Sequence, residues 1–371
     1  MDYPSIEKGV DTMDKNVTYI IAILAVAALI VSTYGFVTFS GNISDLDKKL
    51  TDDSTSISNI EDQLGDILDQ INEYQTNITQ MQEELSQYKQ VTVVDRDGNV
   101  ASFTAPPERI VSLAPSLTEI LFAIGAGDSV VGVTDYCDYP YNFTAWIEAG
   151  NMTSIGNFYG TSAEPIVALD PDLVLATSGS LGAVATLKTL GYAVLVVEGH
   201  SINEIMSDIL LVGRATYKDA EASALVTDMR DRLDAVATQL LSATTTPKVY
   251  YEVWYDPLMS AGPGTYIDEV ITLAGGENIF GDASTGWPAV SSEEIIEKNP
   301  DVMLFPDSYM ADQTYDINDV TDRPGWDVIT AVQNDAIYEI VEDTLVRSGP
   351  RIVDALEEIA QLIYPELFGE P

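Results

Sequence analysis

The chain is poor in cysteine, histidine and cations: it has one Cys, one His and 17 Lys plus Arg among 371 residues. A lone cysteine, Cys137, excludes an intramolecular disulfide, and a lone histidine, His200, removes most Cys/His metal clusters and catalytic triads. Against 59 Asp and Glu these cations leave a formal charge of −42, which repels phosphate backbones and anionic lipid surfaces, so no nucleic-acid partner is expected. A merely solvated acidic surface is the plainer account of that charge, and adaptation to salt the alternative. The chain also lacks a G-x-S-x-G elbow, a glycine-rich phosphate loop with lysine and an H-E-x-x-H pair. It therefore reads as a non-enzyme with no catalytic residues, no metal site and no cofactor of its own.

One long stretch carries no charge at all. Val17 to Phe39 is an apolar run of about the length that crosses a bilayer. It is too long for a signal-peptide core and no cysteine comes just after it, so the expectation is an uncleaved single-pass anchor. Lys8 and Lys15 on one flank balance Lys48 and Lys49 on the other, which leaves its orientation open; N-x-S/T sequons at Asn42, Asn77, Asn142 and Asn151 are compatible with an outward C-terminal part.

Beyond the run, apolar residues fall on a strict heptad. Ile43, Leu50, Ile57, Leu64, Ile71, Ile78 and Leu85 mark one seam position, with Leu46, Ile60, Ile67, Tyr74, Met81 and Tyr88 at the other; only Asp53 interrupts. A period of 3.5 predicts a left-handed coiled-coil rod roughly 70 Å long. A single amphipathic helix packed on the remainder is the competing reading. Mixed Ile and Leu at both positions allow a dimer or a trimer.

The rest of the chain repeats itself. Ser162 to Ala176 (SAEPIVALDPDLVLA) and Ser291 to Phe305 (SSEEIIEKNPDVMLF) share Ser, Glu, Ile, Pro, Asp and Leu at six equivalent places: a capped turn with an exposed glutamate, a Pro-Asp break, then an apolar strand. Arg109 to Gly127 and Val249 to Gly276 form a second repeat, in which Glu119 matches Glu269 and Gly125 matches Gly275. A helix and strand close each half, around Leu187 to Gly199 and Val328 to Glu342. The fold class is thus α/β, two similar lobes. Between them, Lys218 to Leu241 is apolar at helical spacing without glycine or proline, predicting one continuous helix roughly 36 Å long that holds the lobes at a nearly fixed angle. Ahead of the first lobe, Gln90 to Val111 reads as a hairpin turning at Asp97-Gly98. The expected segments are a tail (1–16), an anchor (17–39), a stalk (40–90), a first lobe (91–215), an interlobe helix (216–245) and a second lobe (246–371).

In open α/β sheets ligands lie beyond the carboxyl ends of the strands. Aromatics follow most predicted strands here: Thr134 to Trp146 and Asn157 to Gly160 in the first half, Trp254 to Pro257, Gly286 to Pro288 and Asp307 to Met310 in the second. If the halves face each other, these loops line one cleft with rings and few basic groups, which suits a bulky, partly apolar ligand. Packing of individual rings on the lobe edges is the plainer alternative for each.

In order and spacing, RIVSLAPSLTEILFAIG, VGVTDYCDYP, EPIVALDPDLVLA, GGENIF, GWPAVSSEEII and SGPRI resemble the substrate-binding proteins with a rigid interlobe helix that serve ABC importers for vitamin B12, ferric siderophores and haem. The resemblance covers Thr92 to about Pro365 and is strongest to the vitamin B12-binding members. It implies docking of Glu164 and Glu293 into arginines of a permease that works with its ATPase. It further implies ligand contacts at Tyr136, Phe158 and Trp287, with Asp343 and Arg347 reaching side-chain amides of the ligand; Tyr159, Trp254 and Tyr255 join this set as cleft aromatics. Thr177 stands where a second cleft tryptophan would be.

A corrin ring is apolar across its faces and fringed by neutral amides, which a wall of Tyr, Phe and Trp matches. Ferric siderophores are commonly anionic and call for clustered Arg or Lys, whereas only Arg347 and Arg351 fall near the cleft, Arg351 being equally suited to a structural role. Haem would want an axial ligand; His200, after a strand end at a helix start, suits an N-terminal or core role better. The expectation is a cell-membrane-anchored extracellular binding protein, archaeal or otherwise lacking a periplasm, joined into a homo-oligomer by its stalk, that passes a corrinoid to an importer. An iron-chelate or haem carrier is the alternative, and a sensory or structural stalk protein a third.

Overall fold

The computed structural model describes residues 21–25, 43–88, 90–157, 159–307 and 317–369, and the chain separates into two compact units, residues 1–82 and 83–371. Residues 21–25 are helical; the remainder of the expected 17–39 anchor lies outside the described residues, among which no helix is long and apolar enough to cross a membrane. The heptad segment is a single 46-residue helix, Ile43–Tyr88. Its seam residues Ile57, Ile60, Leu64, Tyr74, Ile78 and Met81 are exposed.

The second unit opens with the hairpin β1 (Val91–Val94) and β2 (Val100–Phe103), paired antiparallel from Val91↔Phe103 to Val94↔Val100, with Gly98 at φ 80° in the turn. Asp95 pins the hairpin down. Its carboxylate accepts from the backbone N–H of Asn99 and, at 2.6 Å, of Val196.

The first lobe is a five-stranded parallel sheet, β3 (Ile110–Ser112), β4 (Val130–Val133), β5 (Thr153–Ser154), β6 (Leu173–Ala176) and β7 (Val194–Val196), in the order β5-β4-β3-β6-β7. Every residue of β3, β6 and β7 is buried, as expected for strands with helices on both faces. The second lobe repeats the plan: β8 (Lys248–Tyr255), β10 (Glu277–Asn278), β11 (Val302–Pro306) and β12 (Ile337–Ile340) are parallel in the order β10-β8-β11-β12, and β9 (Leu258–Ser260) folds back antiparallel on β8. In each sheet the first strand is flanked by strands that leave it in opposite directions, which opens a crevice at its carboxyl end.

The sequence repeats coincide with repeated structure. Ser162 caps the helix Ala163–Val167 before β6, and Ser291 caps Ser292–Lys298 before β11 with a reciprocal Ser291–Glu294 box. Gly125 and Gly275, at φ 71° and 88°, end the helices Pro115–Ala123 and Tyr266–Leu273; a left-handed residue there closes the last turn at no steric cost to glycine.

The interlobe helix runs Asp219–Leu240, 22 residues. It buries Ala222, Val226, Met229 and Val236. Its first turn lies so close to the helix Ile202–Ala215 that a Cβ on Gly213 would sit 2.3 Å from that of Ala222. Farther along, Arg232 donates to Glu357 (2.9 Å) and to Asp354, on the helix Ile352–Ile363 of the second lobe. The connector is thus fastened to both lobes.

Candidate functional site

Between the lobes lies a cavity of about 670 Å³. Its walls come from the carboxyl ends of the strands: Ala114, Pro115 and Ser116 after β3, Tyr136 after β4, Thr177 after β6, and Glu198, Gly199 and His200 after β7. The opposite wall carries Tyr266, Trp287, Asp343, Val346, Arg347 and Ser348.

Of the site residues expected from sequence, Tyr136, Tyr159, Trp287, Asp343 and Arg347 meet here. The three rings are exposed by 55%, 73% and 45%, so each presents a face to whatever enters. Phe158 lies outside the described residues. Trp254 and Tyr255 are not among the cavity-lining residues: β8 runs on to Tyr255 and turns into β9, and the two rings sit 5.0 Å apart against each other, with Trp254 Nε1 donating to the carbonyl of Asp256. Tyr141 and Trp146 stack at 5.0 Å and group with Phe122 and Phe143, the lobe-edge packing anticipated for some loop aromatics. Residues 308–310 lie outside the described residues.

Tyr266, Glu198 and His200 are among the lining residues that were not anticipated. Tyr266, hidden in an amphipathic helix pattern, gives its hydroxyl proton to the carbonyl of Val346 at 2.6 Å; burial, then the neighbouring Glu198, push its pKa up to about 12. The Glu198 carboxylate accepts from the backbone N–H of Ser178 at 2.9 Å. His200, expected to cap or to sit in a core, is instead exposed on the cavity wall. Ser201 takes the capping role, accepting from the Glu204 N–H, and the His200 backbone N–H goes to Glu204 Oε2.

Charge in the cleft is internally compensated. Arg347 donates to Glu119 (3.0 Å) and Asp138 (2.6 Å) and pairs with Asp343. Arg351 donates to both oxygens of Glu119, at 2.9 and 2.6 Å, with its guanidinium 4.1 Å from the centre of the Tyr139 ring. Glu119 is 2% exposed. Burial raises the pKa of Asp343 and Arg347 lowers it, burial prevailing. Three carboxylates, Glu119, Asp138 and Asp343, and two guanidiniums thus meet beside the cavity, leaving no surplus of positive charge for an anionic ligand. Cys137, whose pKa is raised by burial, is held between Thr118 and Thr134; a buried protonated thiol of this kind is inert.

Two facing α/β lobes, a helical connector and a cleft at both switch points identify the architecture, and residues 110–344 match the sequence model of periplasmic binding proteins. The chain belongs to the periplasmic binding protein family. It is 33% identical over 288 residues to an ABC transporter substrate-binding lipoprotein of Bacillus subtilis, covering 76% of this chain and 87% of that one. It is 31% identical over 256 residues to the vitamin B12-binding protein of Vibrio cholerae, covering 68% and 88%. The solved structure of the periplasmic vitamin B12-binding protein of Vibrio cholerae superposes with a TM-score of 0.59 at 30% identity, over 70% of this chain and 97% of that one. The apo periplasmic haem-binding protein of Roseiflexus sp. RS-1 gives 0.62 at 28% identity, over 69% and 98%. These relatives are binding proteins. The family match begins at residue 110, after the heptad helix and the apolar run.

Proposed function

We propose that this chain is an extracytoplasmic substrate-binding protein of an ABC importer that captures a corrinoid between its lobes and presents it to a permease through Glu164 and Glu293. The observation that carries the reading is a cavity walled by the exposed rings of Tyr136, Tyr159 and Trp287 while both nearby arginines are already tied to carboxylates. A neutral macrocycle stacks on such rings and needs no charged partner; an anionic chelate would find no free guanidinium. In this reading Phe158 adds a further ring, and Asp343 and Arg347 offer hydrogen bonds to peripheral amides. Relatedness to a haem-binding structure at 28% identity keeps haem or an iron chelate as the second reading.

Glu164 and Glu293 support docking because both are exposed at the first turn of equivalent capped helices, one per lobe. The 17–39 run is the anchor in this proposal, and the exposed Ile/Leu seam of Ile43–Tyr88 is covered by the same seam of a second or third copy. Anchoring raises the effective concentration of a binding protein at its importer. Calorimetric titration of the full-length chain with cyanocobalamin, haem and a ferric siderophore tests the ligand. Tight one-to-one binding of cobalamin alone is the expected result, and binding of only an iron ligand would replace the corrinoid with the second reading.

A further inference from the structure

His200 is the chain's one imidazole, and it stands on the wall of the ligand cavity, exposed. Among the described residues no hydrogen bond or ion pair engages its ring; only its backbone N–H is used, by Glu204. Thr177, which lines the same cavity, is 3% exposed and its Oγ1 has no hydrogen-bond partner. A buried hydroxyl left unpaired is unfavourable, so this part of the cavity suits a polar group that arrives with the ligand. Among the described residues no cluster of three or more His, Cys, Asp or Glu could hold a bare ion. A solitary imidazole supplies one coordination position, which suits a metal centre that brings its remaining ligands with it.

Resting on the corrinoid reading, we propose that His200 is an axial ligand to the cobalt of the captured corrinoid, and that Thr177 hydrogen-bonds a peripheral amide next to it. A corrin provides four equatorial nitrogens and leaves an axial position held by an exchangeable water in the aquo form. The imidazole lone pair forms the new bond to Co(III) as that water leaves; cobalt keeps its oxidation state and no proton moves. Neutral imidazole is a strong ligand for such centres. The cavity therefore selects corrinoids with an open axial position over those whose position is blocked by a tightly bound anion such as cyanide.

The test uses the full-length chain, its His200→Ala variant and its Thr177→Val variant, titrated with aquocobalamin and with cyanocobalamin and followed in the visible spectrum. The native chain should shift the aquocobalamin absorption bands toward those of an imidazole complex and bind that form at least about tenfold more tightly than cyanocobalamin, a difference of about 1.4 kcal/mol. His200→Ala should abolish the shift and bring the ratio to about one, with its melting temperature measured alongside to confirm the fold. Thr177→Val should weaken both forms equally. Binding of both corrinoids by the native chain without a spectral shift, or a shift that persists in His200→Ala, overturns the assignment and leaves the corrinoid reading intact. Failure of the native chain to bind either corrinoid overturns both.

Discussion

Replacing Glu119 by alanine should destabilise the protein by about 3–5 kcal/mol, the cost of removing one partner from a buried ion pair. Glu119 is 2% exposed and accepts from Arg347 at 3.0 Å and from Arg351 at 2.9 and 2.6 Å. After its removal Arg347 retains Asp138 at 2.6 Å, but Arg351 retains the face of Tyr139 at 4.1 Å and, among the described residues, no carboxylate within ion-pair distance. The penalty therefore falls on Arg351, whose side chain is 15% exposed. Glu119→Gln keeps an acceptor and loses the charge, so it should cost roughly half as much, about 1.5–3 kcal/mol. Glu119→Ala combined with Arg351→Met removes the stranded charge and should recover about 2 kcal/mol of the loss. Urea unfolding followed by tryptophan fluorescence, with unchanged m, measures all three. A loss below about 1 kcal/mol for Glu119→Ala, with strict additivity in the double variant, would refute the reasoning.

Other expectations follow from single contacts. Burial pushes the Asp208 carboxyl from its ordinary 3.8 up to about 7, although Arg96 donates to Oδ1 at 3.0 Å. The folded chain then holds a proton that the unfolded chain releases, so stability falls as pH rises from about 4 to 7, by about 2–4 kcal/mol. Asp208→Asn should flatten the melting temperature across that window, and an unchanged slope counts against this account. Trp287→Ala should weaken ligand binding by about 1–2 kcal/mol while Trp254→Ala leaves it unaltered; equal losses would mean that both rings serve the site. Reversing charge at Glu164 and Glu293 should abolish uptake and spare affinity, and lost affinity would show those residues were misassigned. Deleting residues 43–88 should reduce the sedimenting species to a monomer, so a full-length chain that already sediments as a monomer would remove the stalk from the assembly argument.

What could be read in the sequence was local. Ser162 and Ser291 announce their helices because a cap needs only the next few residues, and the buried strands β6 and β11 follow each Pro-Asp break as unbroken apolar runs. The interlobe helix was legible for the same reason, its apolar spacing being self-contained. The cleft was legible only in part. Tyr136 and Trp287 follow strands that end at the crevice, whereas Trp254 and Tyr255 belong to a strand that continues into a hairpin, and no local signal separates the two cases. Tyr266 faces the cavity from inside a helix whose periodicity reads as core. Glu119 and Arg351 are 232 residues apart, so neither residue's neighbourhood reveals that they meet.

The duplicated glutamates explain why the lobes stay in register. Glu119 and Glu269 occupy equivalent places in the two halves, each on the helix after its lobe's first strand, and each reaches out of its own lobe. Glu119 takes Arg347 and Arg351 from the second; Glu269 takes the backbone N–H of Ile202, at 2.8 Å, at the start of a first-lobe helix. One strap is an ion pair and the other a carboxylate on a helix N-terminus, where the backbone dipole favours negative charge. With the interlobe helix fixed by Arg232, the lobes are tied at three separate places, and hinge closure of the kind that needs flexible crossings is resisted at each. Any rotation of one lobe against the other must therefore break contacts at Glu119, at Glu269 or along the interlobe helix.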